Sequence, residues 1–292
     1  VTNKASVNMS GGVIRNHASN FGAGMQVWNE STVTLTGGEI KNNIGSGISV
    51  RESKLIMNAT QENPDGCHIT DNIYRDNNGS GGGIYLSDSF ALINSGCVQN
   101  NKAYNGGGIT IGSSNVAIAG NASILGNQTG VGGGLIIFDS KVTLGGNSKI
   151  CNNRAKYSGG VLLENSEMTI SENAQICENT ATVRDAGISA SHHNYENIML
   201  FGYETQIKIT GGVIKDNYII CDESHKKEEA CNLNRDSEFV NLKFSGSPEI
   251  SGDISLDDLQ TGGPMLFIED KFTPVYPLVL NPRYGTAGVK AV

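Results

Sequence analysis

A repeat of about 26 residues runs along most of the chain and limits the folds that it can adopt. The repeat is marked by an Ile or Val anchor that recurs nine times, and the residue three places after the anchor is Asn in seven of the nine copies. The intervals are 26 or 29 residues at first, then 38 and 36, between the anchors Ile14, Ile40, Ile69, Val98, Ile124, Ile150, Ile176, Ile214 and Ile250. An internal period of this length is typical of solenoids and propellers.

Two further phrases recur between the anchors. One is rich in glycine and leads into alternating apolar residues, with copies at Gly81–Leu86, Gly106–Ile111, Gly132–Ile137 and Ser158–Leu163. The other begins with Ser, with copies at Ser31–Leu35, Ser89–Ile93, Ser114–Ile118, Ser140–Leu144 and Ser166–Ile170. Short runs that alternate with period two between Gly, Asn and Ser are typical of β-strands.

Three short strands in each repeat predict an all-β, right-handed parallel β-helix of about nine coils. We expect residues 1–263 to form this β-helix and residues 264–292 to form a C-terminal closing segment. Insertions are predicted near residues 58–66, 73–80, 191–204 and 218–239. A leucine-rich repeat is excluded because the dense leucine pattern is absent, and a propeller because its blades need about 40–45 residues.

Composition excludes several other classes. Glycine accounts for 38 of the 292 residues, but proline numbers only 6 and glycine does not recur at every third position, so the chain is not collagen-like. No apolar run approaches the ~20 residues of a membrane helix, and we expect no membrane insertion of this segment. The formal net charge of −8 disfavours nucleic acid as a partner, since proteins that bind it carry basic surfaces.

The repeated Asn residues are predicted to form a structural column at one corner of the coils. Stacked side-chain amides can donate to the next coil and satisfy the backbone of the turn. The predicted members are Asn43, Asn72, Asn101, Asn127, Asn153, Asn179 and Asn217. The triple glycines fit a corner that needs a positive φ or a close approach of the backbone. A phosphate-binding loop is disfavoured there, because no Lys-Ser/Thr pair or helix follows.

The segment Thr32–Asn43 reads Thr-Val-Thr-Leu-Thr-Gly-Gly-Glu-Ile-Lys-Asn-Asn and resembles the adhesin-like repeats of bacterial polymorphic outer membrane proteins. With the Gly-Gly-Gly-Ile phrase, the resemblance covers roughly residues 5–255. It implies a right-handed β-helix, an extracellular or cell-surface location, and an adhesive or scaffolding role. It implies no catalytic residues. A host surface glycan or protein is the expected partner.

Flanking coils of a larger protein are also expected partners, because a rod of stacked coils has open ends. The stretch Phe272–Val292 resembles the segment that closes such arrays in large, repetitive bacterial surface proteins.

Apolar side chains are predicted on the outer surface of the Gly-Gly-Gly-Ile strands. Alternation places Tyr85, Ile136 and Leu162 outward, with Ile136 and Leu162 as neighbours. An outward apolar pair is either covered or used for binding. Met199–Phe201 is the favoured cover, and a partner or glycan surface that involves Tyr85 is the alternative.

The insertion at residues 191–204 carries further candidates. Two adjacent histidines and a glutamate could hold a metal, but a zinc site needs three or four ligands and the others are not evident. The binding candidates in this insertion are His192, His193 and Tyr195.

A second incomplete pattern resembles the start of a calcium loop. Asp76, Asn78 and Ser80 have the spacing of its first ligands, but the twelfth position is Ser87 instead of glutamate. These are also ordinary turn residues. We therefore predict no cofactor, with calcium as a weak alternative.

A carbohydrate-active enzyme, either a polysaccharide lyase or a glycoside hydrolase, is the alternative function, because β-helices also carry such enzymes. The only Asp-Asp pair is Asp257-Asp258. Neighbouring residues of a strand point to opposite faces, which weakens this pair for acid–base chemistry. The Asn-Thr-Asp and Gly-His-Gly motifs of polygalacturonase-like hydrolases are absent. No catalytic residues are predicted.

Six cysteines are compatible with disulfide bonds and an oxidising location. Equivalent residues of adjacent coils have Cα atoms about 4.8 Å apart, within the range of a disulfide. Cys151 and Cys177 are equivalent in this sense, and the sequence leaves open whether they form a disulfide or remain free thiols. The other candidate pairs are Cys221 with Cys231, within the charged insertion, and Cys67 with Cys97, which lie on adjacent coils one register position apart.

Overall fold

The computed structural model describes residues 1–19, 21–75, 79–191, 205–220, 227–229, 233–235, 240–251, 253–256, 266–268, 271–275 and 279–281. Across these ranges the chain is all β, with short strands joined by tight corners and no helix.

The strands follow one another at short intervals along the chain. In chain order they are β1 (Ser6–Arg15), β2 (Met25–Val27), β3 (Thr32–Lys41), β4 (Ile48–Arg51), β5 (Lys54–Met57), β6 (His68–Thr70), β7 (Ile84–Ser87), β8 (Phe90–Ile93), β9 (Cys97–Gln99), β10 (Ile109–Gly112), β11 (Asn115–Ile118), β12 (Ser123–Leu125), β13 (Gln128–Val131), β14 (Leu135–Phe138), β15 (Lys141–Leu144), β16 (Lys149–Cys151), β17 (Arg154–Tyr157), β18 (Val161–Glu164), β19 (Glu167–Ile170), β20 (Gln175–Cys177), β21 (Thr180–Arg184), β22 (Ile188–Ser191), β23 (Thr205–Ile209), β24 (Val213–Lys215), β25 (Tyr218–Ile220), β26 (Lys227–Glu229), β27 (Leu233–Arg235), β28 (Val240–Phe244), β29 (Glu249–Ile250), β30 (Asp253–Leu256), β31 (Leu266–Ile268) and β32 (Val279–Asn281).

These strands form three sheets that run along the stack of coils. Among the described residues, a 17-stranded sheet holds the Ser phrases and the anchors, a ten-stranded sheet holds the glycine-rich phrases, and a five-stranded sheet follows the Asn corner. Strand pairs such as β10–β14 and β15–β19 are parallel, whereas β25 and β26 are antiparallel. The predicted class, a parallel β-helix, is confirmed.

Successive repeats pair with one another in register. Ile150 pairs with Ile176, Ile176 with Ile214, and Ile214 with Ile250. The last two pairs span intervals of 38 and 36 residues. The longer intervals therefore leave the register of the stacked coils unchanged.

The stack differs from the prediction in two respects. The Asn column marks about seven regular turns instead of nine, because His17 and Asp253 occupy the Asn position after the first and last anchors. Some coils also have a fourth strand, since from Gln128 onward a further strand follows the Asn corner, and Gln128–Val131 pairs with Arg154–Tyr157. These two segments share no apolar alternation, so the sequence pattern did not reveal them. Among the described residues, the earlier Asn corners form only isolated bridges, such as Ile44 with Ile73.

Inward side chains form apolar columns through the stack. One column of the ten-stranded sheet consists of the fully buried Ile84, Ile109, Leu135, Val161 and Ile188. Burial of one such side chain stabilises the fold by about 1.5–3 kcal/mol relative to an exposed one. Each member pairs with its equivalents in adjacent coils, so the core is continuous along the rod.

The Asn column is confirmed, and Asn127 shows its hydrogen-bond pattern. The Asn127 Nδ2 donates to Asn153 Oδ1 at 3.0 Å and to the carbonyl of Val98 at 2.9 Å. The Asn127 Oδ1 accepts from the Asn101 backbone N–H at 2.9 Å and from Asn101 Nδ2 at 3.1 Å. Amide-to-amide bonds of this kind run from Asn43 to Asn217, and every member is buried. The column thus satisfies a corner that water does not reach.

A second buried column is formed by the first residue of each Ser phrase. The Ser114 N–H donates to Ser140 Oγ at 2.9 Å, while Ser114 Oγ donates to the carbonyl of Gly112 at 2.6 Å. Equivalent N–H to Oγ bonds connect Ser31, Ser53, Ser89, Ser114, Ser140 and Ser166. Side chains therefore satisfy two different corners of the coil.

The glycine-rich corner needs glycine for two physical reasons. Gly132 has a φ of +64°, in the left-handed region that side chains disfavour. A Cβ on Gly134 would lie 2.6 Å from Ile150 Cγ2 and 2.7 Å from the carbonyl oxygen of Gly160. Positive φ and close approach, the two predicted reasons, both apply, at different glycines of one phrase.

Replacing Asn127 with Leu tests the Asn column. The Asn127→Leu variant leaves the Asn101 N–H and the Val98 carbonyl buried without these partners, and each unsatisfied group costs about 1–3 kcal/mol. We expect a loss of about 3 kcal/mol or more, measured by thermal and urea unfolding. The control is Asn147→Leu, because Asn147 is exposed and bonds Asn121 at the surface. Equal unfolding of the two variants would contradict the structural role of the column.

Replacing Gly134 with Ala tests the close approach at the corner. The added methyl has no room beside Ile150 and Gly160, so we expect Gly134→Ala to lower stability by about 1–3 kcal/mol. Gly11→Ala is the matched control, since a Cβ there meets nothing within 4 Å. A melting temperature of Gly134→Ala equal to that of the control would show that the corner has room for a side chain.

Candidate functional site

The outward positions of the ten-stranded sheet hold the first binding candidates from the sequence. Tyr85 pairs with Thr110, Thr110 with Ile136, and Ile136 with Leu162, so the predicted neighbours are confirmed. Ile136 is only 8% exposed and Thr110 1%, whereas Tyr85 and Leu162 are half-buried. The apolar pair is therefore not a broad exposed patch.

Several other candidates lie outside the described residues. These are Met199–Phe201, predicted to cover the apolar pair, the insertion residues His192, His193 and Tyr195, and the calcium candidates Asp76 and Asn78. Ser80, the third residue of the calcium pattern, lies beside Tyr85 in a cavity.

This cavity, which we name the Arg51 cavity, has a volume of about 170 Å³. Residues from neighbouring coils supply its walls. The described lining consists of Phe21, Gly22, Ser46, Ser49, Arg51, Tyr74, Ser80 and Tyr85.

Strand alternation explains why polar side chains of β4 reach this cavity. Ile48 and Val50 of β4 are fully buried in the core, which turns Ser49 and Arg51 to the other face. The parallel register then places Ser49 opposite Tyr85 of β7. The same backbone pattern that builds the core therefore presents a serine, an arginine and a tyrosine together.

Aromatic rings hold the Arg51 side chain. Its guanidinium carbon lies 4.9 Å from the centroid of the Phe21 ring and 5.2 Å from that of the Tyr85 ring. A cation over a ring face is attracted by the ring quadrupole, by about 0.5–1 kcal/mol at exposed sites. Phe21 is itself 50% exposed. One ring of the cavity thus faces solvent.

Two polar atoms of the cavity residues are buried and have no hydrogen-bond partner in the described structure: Ser49 Oγ and Arg51 Nε. Ser49 is 1% exposed. Unsatisfied buried polar groups are costly and rare, so each one indicates strain, an unseen partner or a function. Ser46, by contrast, donates from its Oγ to the carbonyl of Ser80 at 3.3 Å.

The sequence pattern pointed to Tyr85 and Ser80 but did not reveal Phe21, Arg51 and Tyr74 as members of the same site. A usable signal was present for Arg51. It lies two residues beyond Ser49, the residue equivalent to Tyr85 in the preceding coil, so strand alternation places Arg51 on the same outer face. Phe21 and Tyr74 lie outside the strands, so their approach to the cavity depends on how the chain turns between coils.

A larger and more open groove of about 350 Å³ follows the Ser column. Three equivalent segments line it: Ser113–Asn115, Asp139–Lys141 and Asn165–Glu167. Lys141 Nζ lies 3.1 Å from Glu167 Oε2, but the two side chains are 64% and 48% exposed, and such surface pairs contribute about 0–1 kcal/mol. The lining holds the buried, unpartnered Asn165 Oδ1 but no aromatic ring.

Acidic and metal-binding groups are dispersed in the described part of the chain. No group of three or more His, Cys, Asp or Glu residues there is placed to hold a metal ion. At the surface, a hydrogen bond from Lys41 lowers the pKa of the Glu39 carboxyl.

Cys67 and Cys97 are free thiols in the structure, so this candidate pair is not formed. Cys97 pairs in register with His68, and adjacent strand residues face opposite sides, which places Cys67 in the core and Cys97 half-buried on the outside. Burial raises the pKa of the Cys67 thiol to about 12, with a smaller contribution from the charge of Glu39, and raises that of Cys97 to about 11. Both thiols are therefore protonated at neutral pH and weakly nucleophilic.

Cys151 and Cys177 form a disulfide bond between adjacent coils, with Cα atoms 4.7 Å apart. The in-register pair Cys151–Cys177 creates this proximity, as the spacing of 26 residues predicts. Cys221 and Cys231 lie outside the described residues, and their pairing stays a prediction.

Comparison of the chain with protein-family models, with curated proteins and with solved structures finds no match. In the described ranges, no helix has the length and apolar character that crossing a membrane requires.

Removing the disulfide tests its contribution to the stack. The bond closes a loop of 26 residues, and chain entropy then predicts a stabilisation of about 3 kcal/mol. We expect the double variant Cys151→Ser/Cys177→Ser to unfold at lower temperature by a corresponding amount. Cys97→Ser is the control, since Cys97 is a half-buried free thiol. If thermal unfolding of the double variant equals that of the control, the bond does not stabilise the rod.

Proposed function

We propose that this chain is a segment of a bacterial cell-surface or secreted adhesin-like β-solenoid that binds a glycan at the Arg51 cavity. One observation carries the proposal: a single cavity combines aromatic ring faces, a cationic side chain and two buried polar atoms without partners.

The chemistry of this lining matches a sugar. Ligand sites are concave, with aromatic walls and a few placed polar groups that fix the orientation of the ligand. A sugar ring has a flat C–H face that can pack on an aromatic ring, and hydroxyl groups that can bond the Ser49 hydroxyl. Phe21 lines the cavity and is 50% exposed, so its ring is accessible for such a contact.

The scaffold supports binding because it holds the cavity residues in fixed relative positions. Ser49, Arg51 and Tyr85 lie on strands whose inward neighbours are fully buried. A site on paired strands is preorganised, so less conformational entropy is lost when the ligand binds.

An extracellular location rests on the resemblance to bacterial surface repeats. The Cys151–Cys177 disulfide supports it, because disulfides persist mainly in oxidising compartments. The proposal also includes binding to a host surface, and contact of this segment with flanking coils of a larger protein.

A polysaccharide lyase or glycoside hydrolase remains the alternative. Glycoside hydrolysis uses paired carboxyl groups, and the described lining of the Arg51 cavity contains no Asp or Glu. The proposed function therefore includes binding and no catalysis.

A glycan array, followed by calorimetric titration of the best ligand, tests the proposal. We expect Phe21→Ala to weaken glycan binding about three- to tenfold, because aromatic contacts contribute about 0.5–1.5 kcal/mol beyond area burial. Phe90→Ala is the matched control: Phe90 is 44% exposed, similar to Phe21, but lies outside the cavity and beneath Lys54. This control should bind like the unmodified protein.

Three results would contradict the proposal. One is the absence of glycan binding together with capture of a host protein that Phe21→Ala does not affect. Another is an equal effect of Phe21→Ala and Phe90→Ala. The third is release of new reducing ends or unsaturated products from a polysaccharide, which would establish the enzymatic alternative.

A further inference from the structure

We propose that the Arg51 cavity recognises a sugar that carries a carboxylate, such as a uronic acid unit of an acidic polysaccharide. This inference rests on the proposed function, glycan binding at the same cavity. It adds the charge of the ligand and names the residues that recognise that charge.

Arg51 is held by rings instead of by a carboxylate. The ion pairs in the described part of the chain all use lysine: Lys4–Glu30, Lys41–Glu39, Lys141–Glu167 and Lys215–Glu249. Arg51 instead lies over Phe21 and Tyr85 in a protein whose formal net charge is −8. An acidic chain thus holds one guanidinium at a cavity without a carboxylate from the described residues to neutralise it.

The planar shape of this guanidinium suits a carboxylate ligand. A guanidinium has its N–H donors in its own plane, and two of them match the two oxygens of a carboxylate. Arg51 Nε is buried and unpartnered. An ionised acceptor at this edge would supply the hydrogen bond that the protein does not.

Ser49 provides a second, independent observation. It is 1% exposed, it lines the cavity, and its Oγ has no hydrogen-bond partner in the described structure. Ser49 and Arg51 point from the same face of β4, since they are two residues apart on one strand. A hydroxyl and a guanidinium therefore converge on one ligand, which can offer a carboxylate to Arg51 and a ring oxygen or hydroxyl to Ser49.

The size and walls of the cavity favour a single sugar ring over an acidic peptide. Its volume of about 170 Å³ is below the ~300–1,000 Å³ of sites for drug-sized ligands, so it accepts one ring while the rest of a polymer stays outside. Arg51 already lies over the Phe21 and Tyr85 rings, and Phe21 remains 50% exposed. The flat C–H face of a pyranose can contact this remaining aromatic surface while its carboxylate meets Arg51, whereas a slender Asp or Glu side chain offers no such face.

The experiment compares acidic sugars with their neutral counterparts on the same scaffold. The probes are D-glucuronate against D-glucose and D-galacturonate against D-galactose, each titrated into the unmodified protein at pH 7 and followed by ligand-observed NMR. We expect the acidic sugar to bind at least about tenfold more tightly in each pair, since charge-assisted hydrogen bonds are about twice as strong as neutral ones. Added salt should reduce the preference.

Variants assign the preference to Arg51. Arg51→Gln should abolish the preference for the acidic sugar, and Ser49→Ala should weaken acidic-sugar binding about three- to tenfold, the effect of one hydrogen bond. Lys54→Gln is the matched control, because Lys54 also lies over an aromatic ring, at 5.2 Å from the Phe90 centroid, and its removal changes the net charge equally. This control should keep the full preference. Thermal unfolding of each variant checks the fold, and Arg51→Lys, which keeps the charge but loses the planar fork, should retain only part of the preference.

Two outcomes overturn the inference and leave the proposed function standing. In one, acidic and neutral sugars bind the unmodified protein equally while Phe21→Ala weakens both. In the other, Lys54→Gln reduces the preference as much as Arg51→Gln does. If peptides rich in Asp and Glu bind and no sugar binds, the inference and the proposed glycan function both fail.

Discussion

The buried Asn column is the interaction on which the rest of the structure depends. A corner that excludes water leaves backbone N–H and C=O groups in need of partners, and one Asn per coil supplies acceptors and donors to the coils on either side. Because every side-chain amide in the column both donates and accepts hydrogen bonds, each coil is held at a fixed spacing and orientation relative to the coil before it. The apolar columns of the core follow from that alignment, since stacked corners bring equivalent strands into register.

This constraint also explains where the chain can vary. The intervals between anchors range from 26 to 38 residues, yet the paired residues remain equivalent. Extra residues lie in the segments that connect the Asn and apolar columns and not in the strands that form them. An insertion of one residue within a strand would turn its apolar side chains to the wrong face of the sheet. The Arg51 cavity lies in this variable part. Apart from Phe21 and Gly22, its described residues fall in the two 29-residue intervals, and they occupy turns or outward strand positions that the core does not need.

The candidate site differs from the scaffold in how its polar groups are satisfied. In the Asn column each side-chain amide has its partners, whereas Ser49 Oγ and Arg51 Nε are buried without any in the described structure. A scaffold corner gains stability from complete pairing. A binding site instead keeps donors free for its ligand, at some cost to stability. The groove beside the Ser column also holds one buried atom without a partner, Asn165 Oδ1, but it has no aromatic ring in its lining, and its charged side chains pair with each other at the surface.

The sequence by itself determined the repeat, the parallel stacking, the Asn column, and the glycine corners at Gly132 and Gly134. These features are local and recur, so one copy explains all the others. Only the tertiary structure decided the fourth strand of the coils from Gln128 onward, the hydrogen bonds of the Ser column, the bond between Cys151 and Cys177, and the separation of Cys67 from Cys97. It also decided the gathering of Phe21, Arg51 and Tyr85 around one cavity. These features depend on side-chain direction and on contacts between different coils, which no single repeat contains.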